Sequence, residues 1–97
     1  MTSKQRAYLK GLAMNLTPIL QMGKGGVTPE NTASVEEALE ARELIKISVL
    51  QNCQEDPKEI AETLAERTHA SVVQIIGKKI VLYRPGKKEN KKIELPK

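Results

Sequence analysis

Three helix-start signals, separated by short runs rich in β-branched residues, restrict most strongly what this chain can fold into. The first is Thr2 with Gln5 three residues on, the second is Thr28-Pro29, and the third is Asp56-Pro57 followed by Glu59. In each, a side-chain oxygen stands where it can accept from the unpaired amides of a first helical turn. The two prolines fall at the first helical position, where a missing N–H does no harm. Runs that read as strands follow each helix: residues 19–22, then 44–50, then 72–76 and 80–84 joined through Gly77-Lys78 as a hairpin. The order is α-β-α-β-α-β-β. Strands separated by helices need crossovers, so the spacing predicts an α/β fold, one compact domain with a four-stranded mixed sheet and helices packed on it. The sheet is expected to be parallel where helices intervene and antiparallel at the hairpin. A chain of 97 residues has room for one such domain and too little for two.

Helical spacing assigns the faces. Tyr8, Leu9, Leu12, Ala13 and Leu16 form a core-facing stripe on the first helix, which Pro18 ends by pushing its predecessor out of the α region. Arg6 and Lys10, four apart, share another and purely basic face. On the second helix Val35, Ala38 and Leu39 point inward while Glu36, Glu37, Glu40 and Glu43 face water. Ile60, Ala61, Leu64 and Ala65 make the buried stripe of the third, and Lys46 and Ser48 lie on the polar side of the strand 44–50. Beyond Pro85 there is little to bury. The domain is therefore expected to span residues 1–85, and residues 86–97 to form a mobile basic tail in which only Ile93 and Leu95 have packing surface.

The net charge of +4 hides a polarised chain. Residues 1–29 carry four cations and no acid, residues 30–83 six cations against ten carboxylates, and residues 84–97 six cations against two. Basic ends around an acidic middle suggest a polyanionic partner more strongly than the net charge or pI alone does. Tyr8 and Tyr83 are the only aromatic residues, too few for a base-stacking platform. No apolar run approaches bilayer length and the first residues lack a signal-type apolar region, so a membrane is not expected and the cytoplasm is.

Catalytic chemistry finds little to work with. Cys53 is the sole cysteine, has no histidine or cysteine at metal-ligand spacing, and lies in a loop where partial exposure is expected. His69, the sole histidine, falls where it can complement a helix C-terminus. No nucleotide P-loop or dinucleotide fingerprint is present, so neither cofactor nor metal nor enzymatic activity is expected.

What remains is Gly23-Lys24-Gly25-Gly26, between the first strand and the second helix. Glycines let a loop turn tightly and let another backbone approach, and the helix start just beyond offers amides and a positive dipole end to phosphate oxygens. The segment reads as a backbone-phosphate clamp, although a plain strand-to-helix turn needs glycines too. Lys24 stands inside it, Lys4, Arg6 and Lys10 precede it, and Lys78, Lys79 and Arg84 belong to the hairpin. If the first helix and the loop share an edge of the sheet, these cations form one surface.

The ordered set Lys4-Gln5-Arg6-Ala7-Tyr8-Leu9-Lys10, Leu12-Ala13, Leu16, Pro18, Gly23-Lys24-Gly25-Gly26, Glu43 to Ile47, and Ile76-Gly77 through Leu82-Tyr83-Arg84 resembles the CRM domain. That domain is named for chloroplast RNA splicing and ribosome maturation and has bacterial single-domain, YhbY-like members. The resemblance runs from Thr2 to Pro85. It implies a fold similar to the C-terminal domain of bacterial translation initiation factor three, RNA binding through the Gly-x-x-Gly loop and nearby basic residues, and association with precursors of the large ribosomal subunit. Many relatives carry a histidine after the Leu-Ala pair of the first helix, where this chain has Met14.

Three readings are thus open. The leading one is a non-enzymatic, monomeric module that binds ribosomal RNA through Gly23, Lys24, Gly25, Gly26, Lys4, Arg6, Lys10, Lys78, Lys79 and Arg84. The second is a protein-interaction module using the acidic second helix or the basic tail. A small hydrolase built on Cys53 or His69 is the third.

Overall fold

The structure is a computed structural model that describes residues 1–86 and 93–96 of the 97. Helix α1 (Ser3–Ala13) begins with the capping box expected of it: Gln5 N donates to Thr2 Oγ1 and Thr2 N to Gln5 Oε1, both at 3.1 Å. It stops at Ala13, well before Pro18. Met14 is the C-cap, still at helical φ/ψ and bonded to Lys10 O, and Pro18, which a helix cannot run through, keeps the chain from extending it further. Leu16 N instead bonds to Ala13 O at 3.0 Å, and the chain turns into β1 (Leu20–Met22).

Helix α2 (Pro29–Arg42) is capped by Thr28, whose hydroxyl accepts from Asn31 N at 3.0 Å, and leads into β2 (Leu44–Val49). Asp56 caps α3 (Pro57–Thr68) by accepting from Lys58 N at 2.8 Å. His69 follows in the left-handed conformation that closes a helix, and then come β3 (Ser71–Ile76) and β4 (Lys79–Tyr83) around Gly77 at φ +55°. The strand order is β1-β2-β4-β3. β1 runs parallel to β2 across α2, while β4 is antiparallel to both β2 and β3. The element order and the mixed sheet agree with the sequence reading.

Alternation along the central strands divides the core in two. Ile45, Ile47, Ile80 and Leu82 pack with Val35 and Leu39 of α2 and with Ile60, Ala61 and Leu64 of α3. On the opposite face Leu44, Val81, Tyr83 and Val73 pack with Leu9 and Ala13 of α1. The helices α2 and α3 therefore cover one side of the sheet and α1 the other. Two members of the expected α1 stripe are not in this core: Tyr8 and Leu12 stay exposed, because one short helix on a twisted sheet buries a narrow line of side chains. Cys53 also departs from expectation. It is buried against the α2–α3 side rather than partly exposed.

Glu43 overturns the sequence reading most clearly. Expected at the water-facing end of α2, it is fully buried, with φ +65° at the helix C-cap. Its carboxylate accepts from Gly86 N at 2.6 Å and from Ile93 N at 2.8 Å. Partners lying 43 and 50 residues away leave no trace in helical periodicity. The expected tail lies mostly in residues 87–92 and 97, which are outside the described residues. Of the remainder, Ile93 and Leu95 pack against the α1-side core, and Pro96 O accepts from Gln5 Nε2 at 3.1 Å.

Tyr83 carries a consequence for stability. Its hydroxyl is buried with no hydrogen-bond partner among the described residues. Burial, and secondarily the negative charge of Glu43, raises its pKa above the ordinary 10.0. The folded state then holds this proton more tightly than the unfolded chain, so the stability it contributes is complete below about pH 10 and is lost as pH rises further. Tyr83→Phe removes an unsatisfied polar group at constant shape. Urea unfolding is expected to give a variant about 1 kcal/mol more stable near neutrality, with a shallower loss above about pH 10. A clear destabilisation at neutral pH would contradict this account.

Candidate nucleic-acid interface

The parallel β1-α2-β2 unit fixes where the glycine loop emerges. It leaves the C-terminal end of β1 and runs into the N-terminus of α2, the position at which parallel α/β sheets generally hold ligands. Gly26 N donates to Gly23 O at 2.9 Å, closing a tight turn with Lys24 and Gly25 at its exposed corners. Gly26 has φ +62°, a conformation side chains resist, and its carbonyl accepts from Asn31 Nδ2 at 2.7 Å, which ties the turn to α2. The other two glycines have no such internal cause. A Cβ at Gly23 would meet Leu50 at 3.6 Å, and one at Gly25 would meet Thr28 at 3.6 Å, both ordinary contacts. Of the two, only Gly25 is fully exposed; Gly23 is half-buried beside Leu50 and Asn52.

Strand register shows what shares this end of the sheet. Met22 pairs with Val49, Ser48 with Lys79, and Val49 N donates to Lys78 O at 2.7 Å. Lys78 and Lys79 thus stand at the same end as the loop, two strand spacings from β1, or about 10 Å. Lys79 donates to Ser48 Oγ at 3.1 Å, which holds its ammonium on the α1-facing side of β2. Arg6 lines a hollow with Val72 and Ile75 of β3 and with Lys58 and Glu62 of α3, on the opposite margin of the sheet. Lys4 and Lys10 are exposed on the same helix. The cations therefore border the loop's end and the α1 face, and do not share one edge with the loop.

Arg84 does not belong to this set. It lies at the far end of β4, where its guanidinium pairs with Glu36 at 2.5 Å and Glu40 at 3.2 Å and donates to Thr68 O at 3.0 Å. Its charge is spent holding α2 and α3 to the sheet, and the two glutamates expected to face only water are its partners. The loop is also not purely cationic. A Cβ at Gly26 would strike the carboxylate of Glu55, from the connection between β2 and α3. Sequence gave no hint of that approach, since Glu55 sits 29 positions away in an irregular segment. Met14 is 81% exposed at the end of α1.

Chemically this arrangement can grip an anionic backbone through main-chain amides and ammonium groups. Among the described residues no group of three or more His, Cys, Asp or Glu is placed to hold a metal ion, and no helix is long and apolar enough to cross a membrane.

The geometry defines a class: a small α/β domain with helices on both faces of a mixed sheet and a glycine turn offered to solvent at a strand-to-helix junction. The chain matches the CRS1 / YhbY (CRM) domain over residues 1–84 and belongs to that family. A Bacillus subtilis protein named "Probable RNA-binding protein YqeI" is 54% identical over 96 residues, covering 99% of each chain. An "RNA-binding protein" of Haemophilus influenzae is 41% identical over 96 residues, 99% of this chain and 95% of that one. The solution structure of SAV1595 from Staphylococcus aureus has a TM-score of 0.82 at 53% identity and covers 99% of both chains.

Proposed function

We propose that this protein binds RNA, gripping the sugar-phosphate backbone with the Gly23–Gly26 turn and orienting it with Lys24, Lys78 and Lys79 and with the basic flanks of α1. The observation that carries the reading is the exposed corner of the turn, where Gly25 is bare although the protein leaves room for a side chain. The names of the Bacillus subtilis and Haemophilus influenzae relatives, a probable RNA-binding protein and an RNA-binding protein, support it. Phosphate contacts position without specifying sequence, so the RNA is selected by its shape. We assign it to ribosomal RNA in precursors of the large subunit, on which the protein acts in the cytoplasm as a monomer that assists assembly without catalysing a reaction. The domain then includes residues 93–96, which pack on the α1-side core and are tied to Glu43.

Two measurements test this. Titration of a labelled ribosomal RNA fragment against rising salt should give a log–log slope of about −4, as four or five phosphates are neutralised, hence an affinity loss of about 100-fold between low and moderate salt. A flat salt response would remove the phosphate-clamp mechanism. Crosslinking in cells followed by sequencing of the attached RNA should return large-subunit precursor RNA. Crosslinks dominated by other RNAs would refute the ribosomal assignment.

A further inference from the structure

Tyr8 is the residue whose position the RNA-binding reading does not yet explain. It is 44% exposed on the outer surface of α1, with Leu12, 38% exposed, one turn further on. Side chains two apart on a helix point about 200° from each other, so Tyr8 faces away from Arg6, which is turned toward the β3 margin. That orientation sets Tyr8 toward the β2–β1 half of the sheet, with Leu12 lining a hollow beside Arg42 and Leu44 at the start of β2, the end away from the glycine turn. Three residues along the same helix stands Gly11, a poor helix former in a helix interior. A Cβ at Gly11 would meet nothing within 4 Å, so no packing demands the glycine. The helix thus presents an aromatic ring beside a bare stretch of backbone. The same helix carries Lys4, Arg6 and Lys10 and no acid, which favours a polyanion over an apolar protein partner.

We infer that Tyr8 is a base-stacking side chain and that the RNA recognised by this domain carries at least one unpaired nucleotide, held on α1 while backbone further along the RNA is gripped at the glycine turn. This rests on the RNA-binding reading and narrows it to RNA with bulges, loops or single-stranded junctions, because a base inside a continuous duplex has no free face to offer. A stacked aromatic ring contributes enough binding that its loss weakens affinity about 5- to 100-fold. Gly11 leaves room for the plane of the base to lie flat against the helix.

The chain contains two tyrosines and no tryptophan, which supplies the test. In the Tyr83→Phe protein, Tyr8 is the sole tyrosine, and its fluorescence reports directly on stacking. The probes are a short RNA duplex carrying a bulge of a few unpaired uridines and the same duplex without the bulge. The bulged RNA should quench Tyr8 emission and bind more tightly than the paired one. Tyr8→Ala should abolish that difference, and Tyr8→Phe should keep it. Circular dichroism should show both variants folded, since the ring is on the surface. If the bulged RNA binds without quenching Tyr8, or Tyr8→Ala binds it as tightly as the parent, the inference is overturned while the phosphate clamp stands. If neither RNA binds the parent protein, the RNA reading itself fails and the inference with it.

Discussion

Glu43→Ala lowers the stability of this domain by about 3 kcal/mol, a substantial share of the roughly 5–15 kcal/mol that domains commonly have. The carboxylate is fully buried and accepts two backbone amides, those of Gly86 and Ile93. Hydrogen bonds to a charged acceptor contribute about 1.5–3 kcal/mol each, and the truncated site strands both donors. Relief from burying a charge offsets part of this. The φ of +65° adds a second diagnostic, because glycine tolerates that backbone and alanine does not. Glu43→Gly is therefore expected to lose less than its own missing bonds would suggest, and Glu43→Gln, which keeps one carbonyl acceptor, to be intermediate. Urea unfolding gives the magnitudes, and amide exchange at Ile93 gives the location, since release of residues 93–96 should deprotect that amide first. A loss well below 1 kcal/mol for Glu43→Ala would mean that the C-terminal segment is held by Ile93 and Leu95 packing alone.

Replacing Lys24 and Gly25 together with aspartate is expected to weaken RNA binding about 100-fold with the fold unchanged. The substitution removes one cation and adds two anions at the corner of the turn, and like charges forced together across an interface cost several kcal/mol. Both positions are exposed, and neither Lys24 nor Gly25 has positive φ. A side chain at Gly25 has room beside Thr28, so unfolding should shift by less than about 0.5 kcal/mol. Glu55 provides the control of opposite sign. Its carboxylate crowds Gly26, so Glu55→Gln should tighten binding about two- to threefold in the same titration, screened by added salt. Unaltered affinity in the double aspartate variant would move the RNA site off the loop and onto α1 or the hairpin.

Much of the architecture was legible because it is written in local chemistry. Caps at Thr2, Thr28 and Asp56 are read within three residues, and the stripes of α2 and α3 within two turns. The glycine turn was equally legible, for Gly26 needs its φ and Gly25 stands bare. The misreadings share a cause. Glu43 and Arg84 carry charge, and charge in a helix or at a strand end reads as solvent-facing until a partner arrives from elsewhere in the chain. For Arg84 those partners are Glu36 and Glu40, 48 and 44 positions back, and for Glu43 they are amides of the C-terminal segment. Tyr8 and Leu12 failed the other way. Their spacing matched an apolar stripe, but how wide a stripe α1 buries depends on the curvature of the sheet beneath it.

The chain's own order of caps, prolines, β-branched runs and glycines determined the elements, their sequence and the strand-to-helix turn, since each signal acts over a few residues and needs no distant partner. Tertiary structure alone decided which end of the sheet each cation occupies, that Arg84 is withdrawn into ion pairs, that Glu55 leans on the turn and that Glu43 fastens the last residues to the core. Those are matters of strand order and register, which bring together groups that no local pattern connects.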